Sequence, residues 1–297
     1  MGVQIIEQFI CSKYPDQQTC EDGLFISSDF IAVIDGVTSK GELTWPDPSE
    51  GGSGFLPPMT SGRYAREILT QALKTMEPGI DAASAMEYLN QALATAAGGR
   101  RGFPGGHPGG LASRDFLRDH PEERLQAVII LYSCQKKEVW AFGDCQCLIG
   151  DTLHSHSKEI DGLMAEIRCL YNQAELILGR SEDELARHDP GRACILPLLR
   201  RQFLLANRDR PYGYDVLDGF AIQPHHVSVY PVPPQTQVVL SSDGYPVLKG
   251  TLAESEKALD ELLQKDPQCL RENRGTKGLV KGNRSFDDRT YVRFVVL

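Results

Sequence analysis

The helical segments of this chain come in blocks, and that arrangement constrains its fold more than any other feature. Seven stretches of period-2 or continuous apolar character, bounded by turn residues, read as strands: 3 to 11, 23 to 34, 125 to 133, 138 to 149, 226 to 232, 236 to 241 and 290 to 297. Between the second and third stand two helical patterns in succession. In "SGRYAREILTQALKTME", Ala65, Ile68, Leu69, Ala72, Leu73 and Met76 fall on one face, with Ser61 as N-cap. In "DAASAMEYLNQALATAA", Ala85, Met86, Leu89 and Leu93 do the same after Asp81 as cap. Two helices, then the Gly-rich "GGRRGFPGGHPGG", then two strands joined by the polar "CQKKE" depart from the alternation that builds a parallel βαβ sheet. The order predicts an α+β layered fold with antiparallel hairpins. Residues 158 to 223 read as a charged helical excursion in which "RACILPLLRRQFLLAN" is broken by Pro197. A last helix, "AESEKALDELLQKD", and a basic loop, "RENRGTKGLVKGNRS", precede the final strand. No stretch resembles a long linker, so residues 1–297 are expected to form one domain.

At 41% hydrophobic and 24% charged residues over 297, the chain has enough apolar material for a sizeable core. Its net charge of −9 argues against non-specific binding to nucleic acid or an anionic membrane and suits a cation site. No apolar run reaches membrane-span length and the start carries no secretory pattern, so a cytoplasmic protein with no membrane partner is expected. The eight cysteines are expected to be reduced. Cys145 and Cys147 would share one strand face with no second pair at ligand spacing, which does not suit zinc.

Chemistry enters through the acids at strand ends. "GLFISSDFIAVIDG" stops at Asp35-Gly36 and is preceded by Glu21-Asp22; "VWAFGD" stops at Asp144; "TQVVLSSDG" stops at Asp243-Gly244; "FDDRTYVRFVVL" begins at Asp287-Asp288. Hard cations such as Mg²⁺ and Mn²⁺ take carboxylate, carbonyl and water oxygens, and a glycine after the aspartate lets its carbonyl approach an ion. Asp-Gly is also an ordinary turn dipeptide, and on the residues alone the turn and the metal seat stand level.

The order and wording of these segments, "CEDGLFI", "VIDGVTSK", "AFGDCQCLIG", "LSSDGYPVL" and "FDDRTYVRFVV", resemble the PPM family, the metal-dependent type 2C protein serine/threonine phosphatases, in a divergent bacterial-type form. The resemblance runs from about residue 19 to the C-terminus. It implies a four-layer α-β-β-α sandwich, two central antiparallel sheets flanked by helices, with a metal site at one end. It implies two Mg²⁺ or Mn²⁺ ions and a weaker third position. Asp35 would bridge the two ions and Gly36 would offer its carbonyl. Asp243 and Asp287 would hold one ion, and these two with Asp35 form the catalytic set. Glu21, with Asp22 beside it, would act on the other ion, and Asp144 with Asp243 would match the third. A hydroxide bridging the ions would attack phosphorus in line, with no cysteine or serine nucleophile. The substrate would be a phosphoserine or phosphothreonine protein.

The chain also departs from the family pattern. Val37-Thr38-Ser39-Lys40 replaces the usual "HGG" or "MGG", and Gln17 stands where a phosphate-binding arginine is usual. Lys40, Arg192 and Arg289 are the candidates to replace it. The 158 to 223 excursion, anchored between two acid-bearing strands, is expected to form a wall over the site, with Arg192, Arg200, Arg201 and Arg208 as possible phosphate contacts. Beside the phosphatase reading stand a phosphatase-like regulatory or binding module with little catalysis, and a phosphatase of a small phosphate monoester.

Overall fold

The computed structural model describes residues 2–45, 59–98 and 114–297. The Gly-rich segment read at 98–110 lies almost wholly outside them. Among the described residues, ten strands form two antiparallel sheets of five. One sheet has the order β1 (Val3–Cys11), β10 (Arg289–Val296), β9 (Gln237–Ser241), β6 (Gln146–Ile149) and β7 (Thr152–His154). The other runs β2 (Asp22–Ile26), β3 (Phe30–Gly36), β4 (Ala127–Ser133), β5 (Glu138–Phe142) and β8 (Ser228–Pro231).

The sheets bury alternate residues against each other. Ile31, Val33, Val128 and Ile130 on one meet Val238, Leu240, Val292 and Phe294 on the other, all at most 1% exposed. Cys145 and Cys147 both point into this layer. The opposite residues of β3 and β4, Ala32, Ile34, Ile129 and Leu131, face outward onto helices α1 (Ser61–Thr75) and α2 (Ala82–Gly98), which supply Ala65, Leu69, Met86, Leu89 and Leu93. Near-continuous apolar runs on β3 and β4 follow from this, since both faces are covered. Outside the other sheet, Val239 and Tyr291 pack under Tyr245, Leu248 and Leu252, where α7 (Leu252–Lys265) begins. After the short α3 (Arg114–Asp119), helices α4 (Glu159–Ile177), α5 (Glu182–Arg187) and α6 (Pro190–Arg201) fill the excursion, with Ile160, Met164, Ile195 and Leu199 between α4 and α6. The four-layer α-β-β-α order expected from the sequence is the one observed.

Three local expectations need correction. The stretch 138 to 149 is two strands in different sheets, separated at Gly143, whose φ of +101° favours glycine and whose absent Cβ would collide with Val128. The N-cap of α1 is Thr60, not Ser61: its hydroxyl accepts from the Arg63 amide at 3.3 Å, while Ser61 is the first helical residue. Helix α6 runs through Pro197 instead of breaking there; Pro197 stands mid-helix between buried Ile195 and Leu199, and that packing outweighs the lost backbone bond. Met76 (5% exposed) and the other apolar positions read on α1 and α2 lie against the sheet.

Candidate metal centre and active site

Sheet register sets the acids side by side. Asp22 at the start of β2 pairs with Asp35 at the end of β3, and Gly36 N–H donates to the Glu21 carbonyl at 3.2 Å. Gly36 is a glycine for a packing reason: a Cβ there would strike the Gly62 and Glu21 carbonyl oxygens, so the N-terminus of α1 can close on the end of β3. Asp22 is 1% exposed and bolts the two sheets together: its Oδ2 accepts from Ser242 Oγ (2.7 Å), which follows β9, and from Thr290 Oγ1 (3.0 Å) on β10. Asp243, next to Ser242, is thereby brought to the Asp35 end. Gly244 then packs against the Asp288 carbonyl too closely for any side chain.

Asp288 has an organising role. It is 3% exposed; Oδ1 accepts the Lys13 amide at 2.7 Å and Oδ2 the Glu21 amide at 2.9 Å, fixing both loops to the end of β10. Its neighbour Asp287 points into the site, where Lys13 Nζ donates to Oδ1 at 2.9 Å and Lys277 Nζ pairs with Oδ2. Glu21 accepts from Thr60 Oγ1 at 2.6 Å on Oε1, and from Thr38 Oγ1 at 2.5 Å and Lys13 Nζ at 3.5 Å on Oε2. Asp144 Oδ2 is paired with Lys158 Nζ at 2.7 Å, whereas its Oδ1 is buried with no hydrogen-bond partner among the described residues. Among the described residues, no donor hydrogen-bonds to the side chains of Asp35 or Asp243.

Electrostatics separate these acids. Loss of solvent raises the Asp35 carboxyl well above its ordinary range, with Asp243, Asp22 and Asp144 adding like charge. Asp243 is pushed up to about 7 by desolvation and by Asp144 and Asp287, although Lys158 and Lys277 oppose the rise. Desolvation would also raise Asp287, but Lys277 and Lys13 more than reverse it and hold it well below the usual carboxylate range. For Lys13 the balance is the mirror image: burial alone would lower it, and Asp287, Glu21 and Asp288 hold it far above an ordinary lysine.

Asp35 and Asp243, which accept from no donor among the described residues, and the free oxygen of Asp144, whose other oxygen is held by Lys158, are the oxygens left open to a hard divalent cation. As these side chains stand, no three of His, Cys, Asp or Glu among the described residues converge closely enough to hold an ion. Glu21 and Asp287 are less open than Asp144, because ammonium and hydroxyl donors occupy both oxygens of each carboxylate.

The candidates for the missing arginine sort clearly. Gln17 Oε1 caps the chain at the Ser12 amide (2.9 Å), and Arg289 is held bidentate by Glu256 at 2.8 and 2.9 Å. Lys40 Nζ donates at 2.7 Å to the carbonyl of Thr38, whose hydroxyl donates to Glu21. Arg192, at the start of α6, reaches the Thr276 carbonyl at 2.8 Å, beside Lys277. Burial and the neighbouring charges of Arg192 and Lys277 push Lys40 down to about 8. Arg200 and Arg201 instead line a groove with Asp119 to Glu122 that none of the acids enters. Asp144, Asp243 and Asp287 line a cleft of about 500 Å³ with Lys158, Asp161 and Lys277, so the excursion does wall the site through its first residues. Lys13, Lys158 and Lys277 were not singled out by the sequence; each lies in a segment with no local signal beyond a basic side chain.

No protein-family profile matches the chain, and no curated protein does. Solved structures resemble it along nearly its whole length. The catalytic domain of the serine/threonine protein phosphatase PstP, in complex with two manganese ions, is 15% identical with a TM-score of 0.46, over 99% of each chain. The PPM Ser-Thr phosphatase MsPP from Mycobacterium smegmatis, in complex with cacodylate, is 13% identical with a TM-score of 0.43, over 99% of this chain and 100% of that one. The photosystem II phosphatase PBCP is 15% identical with a TM-score of 0.47, over 100% and 99%. At such identities and scores the fold rests on the strands and their register rather than on the likeness.

Proposed function

We propose that this chain is a metal-dependent phosphatase that hydrolyses phosphoserine or phosphothreonine monoesters in proteins. The observation that carries the reading is the set of acids from separate strand ends, Asp35, Asp144 and Asp243, gathered at one end of a PPM-like sandwich: among the described residues Asp35 and Asp243 accept from no donor, and Asp144, paired with Lys158 through Oδ2, keeps Oδ1 free. Asp35, Asp243 and Asp144 would hold Mg²⁺ or Mn²⁺, with the Gly36 carbonyl beside them. When bound, such an ion neutralises charge developing on the phosphoryl oxygens and acidifies water. Arg192, Lys277 and Lys40 orient the phosphate: three cations from the start of α6 and two loops repel one another, and a phosphate dianion relieves that repulsion. Lys13 and Lys277 keep Asp287 ionised, so it does not compete for the substrate's protons.

One observation favours a second reading, a phosphatase-like binding module with little catalysis: ammonium groups sit on Glu21, Asp144 and Asp287. Hydrolysis of an aryl phosphate with and without Mn²⁺ separates the two. Metal-dependent turnover supports the phosphatase, and none at saturating Mn²⁺ sinks it. Comparing a phosphopeptide with a small phosphate monoester then tests the substrate class.

A further inference from the structure

Lys13 is the most enclosed cation at this end of the molecule. It follows β1, is 4% exposed, and its ammonium is ringed by oxygens from three parts of the chain. These are Asp287 Oδ1 at 2.9 Å, Thr38 Oγ1 at 3.2 Å, Glu21 Oε2 at 3.5 Å and Asp288 Oδ2 at 3.7 Å. The cage is built rather than accidental, because Asp288 also grips the Lys13 backbone amide at 2.7 Å and so fixes where the side chain starts. Buried carboxylates need a cation or donors, and here a lysine supplies both.

We infer that the Lys13 ammonium stands in for one of the two divalent cations that the family resemblance implies, and that this chain carries a single ion. The inference rests on the phosphatase reading. The acids divide into two groups on geometry alone. Glu21, Asp287 and Asp288 surround Lys13 and are further satisfied by Thr38, Thr60, Lys277 and backbone amides. Asp35 and Asp243 accept from no donor among the described residues, and Asp144 keeps one buried oxygen unpartnered. A second divalent ion beside Glu21 would have to displace a buried ammonium from its oxygens, or sit within repulsive reach of it. On the other side Lys158 Nζ holds only Oδ2 of Asp144, at 2.7 Å, so a single ion there finds Asp35, Asp243 and Asp144 Oδ1 without donors among the described residues.

The test is the number of Mn²⁺ ions bound per folded chain, by equilibrium dialysis, with the electron paramagnetic resonance spectrum of the bound metal. The wild-type protein should bind one ion and show the six-line spectrum of isolated Mn²⁺. Lys13→Met keeps the length of the side chain and removes the charge, and it should bind two ions with an exchange-coupled spectrum. Lys13→Arg should stay at one. Two coupled ions in the wild type would overturn the inference and leave the phosphatase reading standing, whereas no bound ion would overturn both. One ion in a folded Lys13→Met would also refute the substitution of lysine for metal. Should Lys13→Met fail to fold, the wild-type count decides by itself.

Discussion

Asp287 and Asp288 are adjacent acids of opposite character, and Asp288→Ala tests that division. Asp288 accepts two buried backbone N–H groups, those of Lys13 at 2.7 Å and Glu21 at 2.9 Å, and is 3% exposed. A buried donor left without an acceptor costs about 1–3 kcal/mol, so two cost roughly 2–6 kcal/mol. Relief of like charge against Asp22 and Asp287 offsets part of this, and entry of a water into the vacated space offsets more. A net loss of roughly 3 kcal/mol is expected, equivalent to a melting-temperature drop of roughly 6 °C for a chain of this size. Asp287→Ala removes a side chain that is 33% exposed; Lys277 can turn toward solvent and the buried Lys13 keeps Glu21, Asp288 and Thr38, so it should cost only about 1 kcal/mol. Its effect should fall on hydrolysis. Urea unfolding of both variants measures the two losses. If Asp288→Ala stays within about 1 kcal/mol of wild type, or costs less than Asp287→Ala, the positioning role is wrong.

Asp35→Asn and Asp243→Asn should each abolish Mn²⁺-dependent hydrolysis with circular dichroism unchanged, because each removes ligand charge that no neighbour replaces; near wild-type turnover at saturating Mn²⁺ would refute the assignment. Chelated protein should melt higher at pH 5 than at pH 8. The folded Asp243, raised to about 7 from 3.8, holds its proton more tightly than the unfolded chain does, so its contribution is full below 3.8 and lost as pH rises through 7. Mn²⁺ should restore the loss at pH 8, and a metal-free melting temperature as high at pH 8 as at pH 5 would count against this. Arg192→Ala and Lys277→Ala should raise KM for a phosphopeptide about tenfold, or about 1.4 kcal/mol, while Arg200→Ala and Arg201→Ala leave it unchanged. Equal effects across all four variants would show that the loop at Thr276 does not face substrate.

Elements whose signals are local were legible from the sequence. The apolar faces of α1 and α2 repeat every three or four residues, so Leu69, Met86 and Leu89 could be placed against the sheet from spacing alone. Asp35-Gly36 and Asp243-Gly244 announce themselves because a carboxylate and a glycine terminate an apolar run, whatever lies elsewhere in the chain. The division of the acids by role was not legible. Asp22 and Asp35 read alike in sequence; only the meeting of the two sheets puts Ser242 and Thr290 against Asp22 and leaves Asp35 without a donor among the described residues. The stretch 138 to 149 reads as one apolar run, and only the left-handed turn at Gly143 sends its halves to different sheets. Lys13 is an ordinary lysine until β1 pairs with β10, which brings Asp287 and Asp288 to it across more than 270 residues of chain. Hydrophobic period and turn chemistry act between near neighbours and are written in sequence order. Charge compensation in a buried site acts across space, so which acid meets an ammonium and which awaits an ion is decided only once the sheets have closed.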